Sequence, residues 1–187
     1  MKRTYAGMMV LVAALAAGCS TGPVPKSETA VRNLHDEAQA TISQLRTTDP
    51  SVQRFFDGAY AWAVFPAVKE GALGVGGAYG RGEVYRSGNV IGYAEMTQGS
   101  IGPQAGAEQY SEVIFFQNAG TFDQFTNGEF AFDARATAIA ASKGAGVAAD
   151  YQQGVLVFAM PQSGLMAQAA IGGQKFNYRP ANGSGPQ

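Results

Sequence analysis

The sequence predicts an α+β fold: a curved, largely antiparallel β-sheet, barrel-like in outline, backed by N-terminal helices. Three observations carry this. Clear helical periodicity marks residues 27 to 57 and fades after them. From Ala61 onward, apolar and aromatic runs alternate with Gly, Asn and Ser turns. The chain holds 25 glycines and 11% aromatic residues without a collagen period, which suits a packed β-rich domain.

The first 18 residues are set apart from this domain. A basic start, Met1-Lys2-Arg3, leads into the apolar run Gly7 to Ala17, and Leu15-Ala16-Ala17-Gly18 precedes Cys19. Charged start, short apolar stretch and small residues spell an export signal; the run is too short to cross a bilayer, which takes about 20 residues. Cys19 is the only cysteine, and acylation gives a lone thiol in an oxidising compartment a purpose. The segment looks like a bacterial lipobox, with Leu15 one place earlier than usual. Residues 1–18 are therefore read as a lipoprotein signal peptide and 19–26 as a lipidated tether. Ser20, in place of aspartate, favours the outer membrane over the inner one. Ordinary secretion with an incidental thiol is the alternative.

The elements follow in order. Ser27 caps a helix ending near Thr48, with Val31, Leu34, Ala38, Ile42 and Leu45 on one face. Asp49-Pro50 starts a second, short helix closed by Gly58. Ala61 to Phe65 is a buried strand stopped by Pro66. Arg86-Ser87-Gly88-Asn89 is a hairpin turn between Glu83–Tyr85 and Val90–Met96. Glu112 to Phe116 is another buried strand, and Thr121 caps a short helix closed by Gly128. Val155 to Phe158 and Gly164 to Tyr178 read as a closing hairpin. Gly74-Val75-x-x-x-Tyr79-x-x-Gly82 and Gly146-Val147-x-x-x-Tyr151-x-x-Gly154 echo each other, as two similar strands or by chance. One domain spans 27–178, and 179–187 form a disordered tail.

Without the signal, the chain keeps 11 basic and 14 acidic residues, a net charge of about −3. Such a balance offers no field for nucleic acid, and no disulfide can form. One stretch stands out. As a strand, residues 74 to 85 place Gly74, Gly76, Ala78, Gly80, Gly82 and Val84 on one face and Val75, Gly77, Tyr79, Arg81, Glu83 and Tyr85 on the other. A face this bare implies curvature, or close approach of another backbone or a ligand. Packing against a helix or a bent sheet and a groove for a slender ligand both satisfy it. A dinucleotide loop does not, because Tyr79 stands where the third glycine belongs.

The run Trp62-Ala63-Val64-Phe65-Pro66-Ala67-Val68-Lys69-Glu70-Gly71 with Gly74-Val75-Gly76-Gly77-Ala78-Tyr79-Gly80-Arg81-Gly82 resembles the signature of the SYLF-domain family. Gly99-Ser100-Ile101-Gly102, Gln104 to Ala107, Phe122-x-x-Phe125 and Gly164 to Ala167 are similar to it too. The likeness covers roughly residues 30 to 178. It implies a single α+β domain and phospholipid binding, an activity known from eukaryotic actin-patch regulators and shared in family with bacterial lipoproteins. Actin regulation does not transfer, and the basic N-terminal character of eukaryotic members is missing, since Arg32 and Arg46 are offset by Asp36 and Glu37.

Chemistry finds little purchase. His35 is the sole histidine, on a helix without ligand neighbours, and reads as a surface residue. No nucleophile elbow occurs. The expectation is a non-enzymatic envelope lipoprotein without cofactor or metal, anchored through Cys19 in the bacterial outer membrane and facing the periplasm. It would bind phospholipid or a lipid-like ligand along Gly74, Gly76, Ala78, Gly80 and Gly82, with Lys69, Arg81 or Arg86 near a head group. The alternative is a structural or interaction lipoprotein that binds an envelope protein partner, with Tyr79, Tyr85, Tyr93 and Tyr110 as its surface.

Overall fold

The computed structural model describes residues 23–132, 138–163 and 171–181. Cys19, the signal segment, residues 164–170 and residues 182–187 lie outside that range. The elements are α1 (Glu28–Thr48), a 3-10 turn (Pro50–Val52), α2 (Gln53–Gly58), β1 (Ala61–Arg86), β2 (Asn89–Phe116), α3 (Ala119–Thr126), β3 (Ile139–Ala140), α4 (Ala145–Ala148), β4 (Val155–Ser163) and β5 (Lys175–Pro180). The fold is α+β, as expected.

Ser27 caps α1 by accepting a hydrogen bond from the Ala30 amide at 3.1 Å. Leu34, Ala38, Ile42 and Leu45 are buried beneath it, the stripe its periodicity announced. Asp49 caps the 3-10 turn through the Ser51 amide and also accepts from the Gly146 amide at 2.5 Å. Burial pushes its carboxyl upward, but the hydrogen bonds from Gly146 and Ser51 outweigh that and hold it below the ordinary aspartate value.

The sheet is dominated by one long hairpin. β1 and β2 pair antiparallel from Ala61↔Phe116 to Arg86↔Asn89. Its turn has positive φ at Ser87 (49°) and Gly88 (79°), the pattern that matches strand twist in two-residue hairpins. Pro66 does not stop the strand. Pairing shifts between Phe65 and Val68, a bulge that accommodates the missing amide. The Pro66 carbonyl accepts from Ser111 Oγ at 2.8 Å and Gln162 Nε2 at 2.6 Å.

β4 and β5 are not a closing hairpin. Both join the other edge of β2: β4 opposite Gln109–Phe116 and β5 opposite Gly92–Thr97. Sheet order is β1-β2-β4-β3, with β3 parallel to β4, so among the described residues the sheet stays open rather than closing as a barrel. β5 runs to Pro180 opposite Gly92, two residues past the expected domain end. α3 is capped by Asn118 rather than Thr121, because the Asn118 carboxamide accepts from the Thr121 amide at 3.0 Å. Gly146 and Val147 lie in α4, so the internal echo does not mark two similar strands.

Both faces of the sheet are covered. Trp62, Val64, Tyr85, Val113 and Phe115 pack with Ile42 and Leu45 of α1 and Phe55 and Phe56 of α2. Alternate residues Ala61, Ala63, Phe65, Ile114 and Phe116 pack with Phe122 and Phe125 of α3 and Phe176 of β5. At about 25 cal/mol per Å² of buried apolar surface, these two layers are the principal source of stability in a chain without disulfides.

Candidate functional site

The glycine face decides where the site lies. A Cβ on Gly82 would overlap the Val64 carbonyl oxygen and stand 2.8 Å from Phe65 Cδ1; one on Gly80 would stand 3.0 Å from Val68 Cγ2. β1 therefore folds over itself, with residues 64–68 crossing 80–82, and only a bare backbone allows that approach. Ala78 is buried in the same layer. The space opposite Gly80 and Gly82 is occupied by the protein's own Phe65 and Val68, which is the bent-sheet reading and not a ligand groove. Gly76 is half-buried and pairs with Ser100; Gly74 lies in β1.

The opposite face of the same crossing is open. Tyr79 and Arg81 point there by the strand's two-residue alternation, and the crossing brings Pro66, Ala67 and Lys69 beside them. α1 supplies the other wall with Ala30, Asn33, Leu34 and Glu37, spaced as one helical face, and Pro25 closes one end. Together they line a cavity of about 520 Å³. Pro23 and Pro25 are buried, so the second half of the expected tether is docked on the domain.

Arg81 Nη2 donates to Glu95 Oε1 at 3.2 Å and to Tyr79 Oη at 3.1 Å, and the Tyr79 hydroxyl donates to Glu95 Oε1 at 2.9 Å. Arg81 Nε is shielded from solvent and makes no hydrogen bond. The guanidinium is thus held from one side and keeps an unused donor. Lys69 is exposed. Of the three basic residues expected near a ligand, Lys69 and Arg81 share the cavity. Arg86 does not: its guanidinium lies 4.4 Å over the Tyr60 ring and 5.0 Å from that of Phe122, clamping the hairpin end to α3.

Beside the cavity lies a polar network that sequence reasoning missed. Glu83 is 1% exposed and accepts from the Tyr85 hydroxyl, and its Oε2 lies 3.0 Å from His35 Nδ1. Gln39 Nε2 donates to Tyr85 Oη at 3.1 Å. Burial first, and then the bond to Glu83, raise the Tyr85 phenol. His35 is thus a link between α1 and β1, its ring half-exposed. The only advance signal was a lone carboxylate between Arg81 and Tyr85 on one strand face.

Tyr85, Tyr93 and Tyr110 are buried; only Tyr79 is exposed, so the expected tyrosine surface reduces to one ring. A second cavity, of about 580 Å³, lies between Arg54, Phe55, Gln117 and the α4 segment Val147–Tyr151, with Val147 70% exposed at its side. Among the described residues, no group of three or more His, Cys, Asp or Glu could hold a metal ion, and no helix is long and apolar enough to cross a membrane.

Comparison with known proteins fits this architecture. The family model Ysc84, described as "Las17-binding protein actin regulator", matches residues 97–182. Beta cell expansion factor A of Aeromonas veronii is 26% identical over 144 residues, covering 74% of this chain and 53% of that protein. An alignment spanning that share of the chain necessarily includes the Trp62–Gly82 run. The resemblance to the SYLF-domain family is borne out by these matches. The family-model match begins inside β2 and ends just past β5, so the crossing of β1 lies before it. The chain spans about half the length of the curated relative it matches.

Proposed function

We propose that this SYLF protein is a bacterial envelope lipoprotein, anchored through acylated Cys19, whose cavity between α1 and the β1 crossing binds a phospholipid head group. The observation that carries the reading is the convergence of Lys69 and Arg81 in a cavity whose end is formed by Pro25. Pro25 lies six positions after Cys19, a reach of about 20 Å at full extension. An acylated Cys19 would hold the cavity within that distance of the membrane surface. Lys69 and the Arg81 guanidinium would take the phosphate. Pro25, Leu34, Pro66 and Ala67 would face the glycerol and upper acyl carbons.

The charges around the cavity balance. Glu37 shares its wall, and Glu95 holds Arg81. A zwitterionic head group suits this arrangement at least as well as an anionic one, with its amine toward Glu37. Binding, not catalysis, is the proposed activity, and the outer membrane facing the periplasm is the proposed location. Neither actin binding nor the activity named for beta cell expansion factor A is carried over.

The test is co-flotation of the unlipidated chain from Ser20 onward with vesicles of phosphatidylethanolamine and phosphatidylcholine, with and without phosphatidylglycerol, at two salt concentrations. Flotation supports domain recognition of lipid; its loss in salt would assign it to head-group charge. No flotation in any mixture would reject the reading. The second reading, a protein partner in the envelope, is favoured by exposed Val147 beside the second cavity, since an exposed apolar side chain next to a concave surface is a docking feature.

A further inference from the structure

Glu112 of β2 is 0% exposed, and so are Tyr110 and Gln174, which precedes β5. Gln174 Nε2 donates to Glu112 Oε2 at 3.0 Å. The other oxygens, Glu112 Oε1 and Gln174 Oε1, have no donor, and the Tyr110 hydroxyl stands close to Gln174 without a well-formed hydrogen bond. A carboxylate only accepts hydrogen bonds. An ionised Glu112 would leave its Oε1 and the Gln174 Oε1 as unsatisfied acceptors in an apolar interior, which native proteins avoid. One added proton removes the conflict. The acid O–H donates to the Gln174 carbonyl while the Gln174 amide donates to the acid carbonyl, closing a ring of two reciprocal bonds.

We propose that Glu112 and Gln174 form a proton-dependent clasp that seals the segment from Ile171 to Pro180 onto β2 and loosens it when the proton leaves. The surroundings favour the neutral acid. The cross-strand neighbours of Glu112 are Phe65 of β1 and Ala159 of β4; Tyr110 stands two residues before it on β2. The other charges felt at Tyr110 are Glu70 and Glu108, both negative. Among the described residues Glu112 takes part in no ion pair. Burial raises its carboxyl to about 7, with only the Gln174 bond opposing.

The clasp sits where it has leverage. Immediately after Gln174, β5 places Phe176 against Phe125 and Phe65, at ring-centroid distances of 5.1 and 6.0 Å. A second tether, Gln98 Nε2 to the Gly172 carbonyl at 3.0 Å, carries no titratable group. Release at Glu112 therefore frees β5 and uncovers the apolar layer beneath it, without detaching the segment at Gly172.

The sign follows from linkage. The closed state binds the proton more tightly than the open one. Sealing is strongest below the exposed-carboxyl value and weakens as pH rises toward about 7, by at most about tenfold per pH unit. The experiment is amide hydrogen exchange of the full-length protein from pH 5 to 8, corrected for intrinsic rates, on wild type and Glu112→Gln. A glutamine there can form the same two reciprocal bonds without a proton. The expected result is protection of residues 174–180 that falls more than tenfold with pH in wild type and stays level in Glu112→Gln. Equal protection across the range in wild type, or an unchanged fall in the variant, would overturn the clasp. Should Glu112→Gln not fold, infrared spectra of the wild type decide. A buried protonated-carboxyl band at pH 6 that fades by pH 8 supports the proposal, and its absence at pH 6 refutes it.

Discussion

Trp62 and Tyr85 stack with ring centroids 5.8 Å apart and planes at 8°, although they stand near opposite ends of one strand. That contact exists because β1 crosses itself, and the crossing in turn brings Lys69 beside Arg81. The bare glycine face builds the cavity from behind rather than lining it.

The crossing should be intolerant of any side chain at Gly82. Gly82→Ala places its methyl on the Val64 carbonyl and the Phe65 ring, and overpacking of this kind costs about 1–3 kcal/mol. Gly99→Ala is the control, since nothing lies within 4 Å of its Cβ position. Urea denaturation should show a lowered midpoint for the first and little change for the second.

The link between α1 and β1 should be measurable as a coupling. His35→Ala removes one donor from buried Glu83 and should cost about 1 kcal/mol. Glu83→Leu strands the buried Tyr85 hydroxyl and should cost about 1–3 kcal/mol. Because both touch one carboxylate, the double variant should be less destabilised than the two singles added together, as read by a denaturation cycle.

Stable anchoring should depend on Cys19, beyond the weaker head-group binding of the domain. Cys19→Ser removes the proposed acylation site, and multiple acyl chains are what make attachment stable. Fractionation of cells should move the protein out of the outer-membrane pellet. Persistence of the full amount in that pellet would show that another element anchors it.

Much of this architecture was legible locally. Ser27, the Leu34-to-Leu45 stripe, and the Ser87-Gly88 turn each carry their own signal, because caps, periodicity and positive φ are short-range matters. What was hidden is long-range. Glu83 alternates with Arg81 and Tyr85 as a solvent-facing residue would, and only α1 lying across it makes it buried. Glu112 sits in an apolar run, where nothing adjacent reveals that Gln174 arrives opposite. Val155–Phe158 was recognisable as a strand, yet its partner could be β5 or β2, since pairing is not encoded within a strand. The cavity itself was half visible: Lys69 and Arg81 were singled out for their closeness to the glycines, whereas the α1 wall was not.

The cavity between α1 and the β1 crossing is the proposed lipid-binding surface. The most direct measurement is vesicle flotation of the unlipidated chain beside two variants, Lys69→Ala/Arg81→Ala within the cavity and Lys175→Ala on exposed β5. Thermal melting of each ensures that folding is intact. The account predicts that wild type and Lys175→Ala float alike and that the cavity variant loses about tenfold in binding, in keeping with roughly 1–2 kcal/mol for two phosphate contacts. Equal flotation of all three would contradict it.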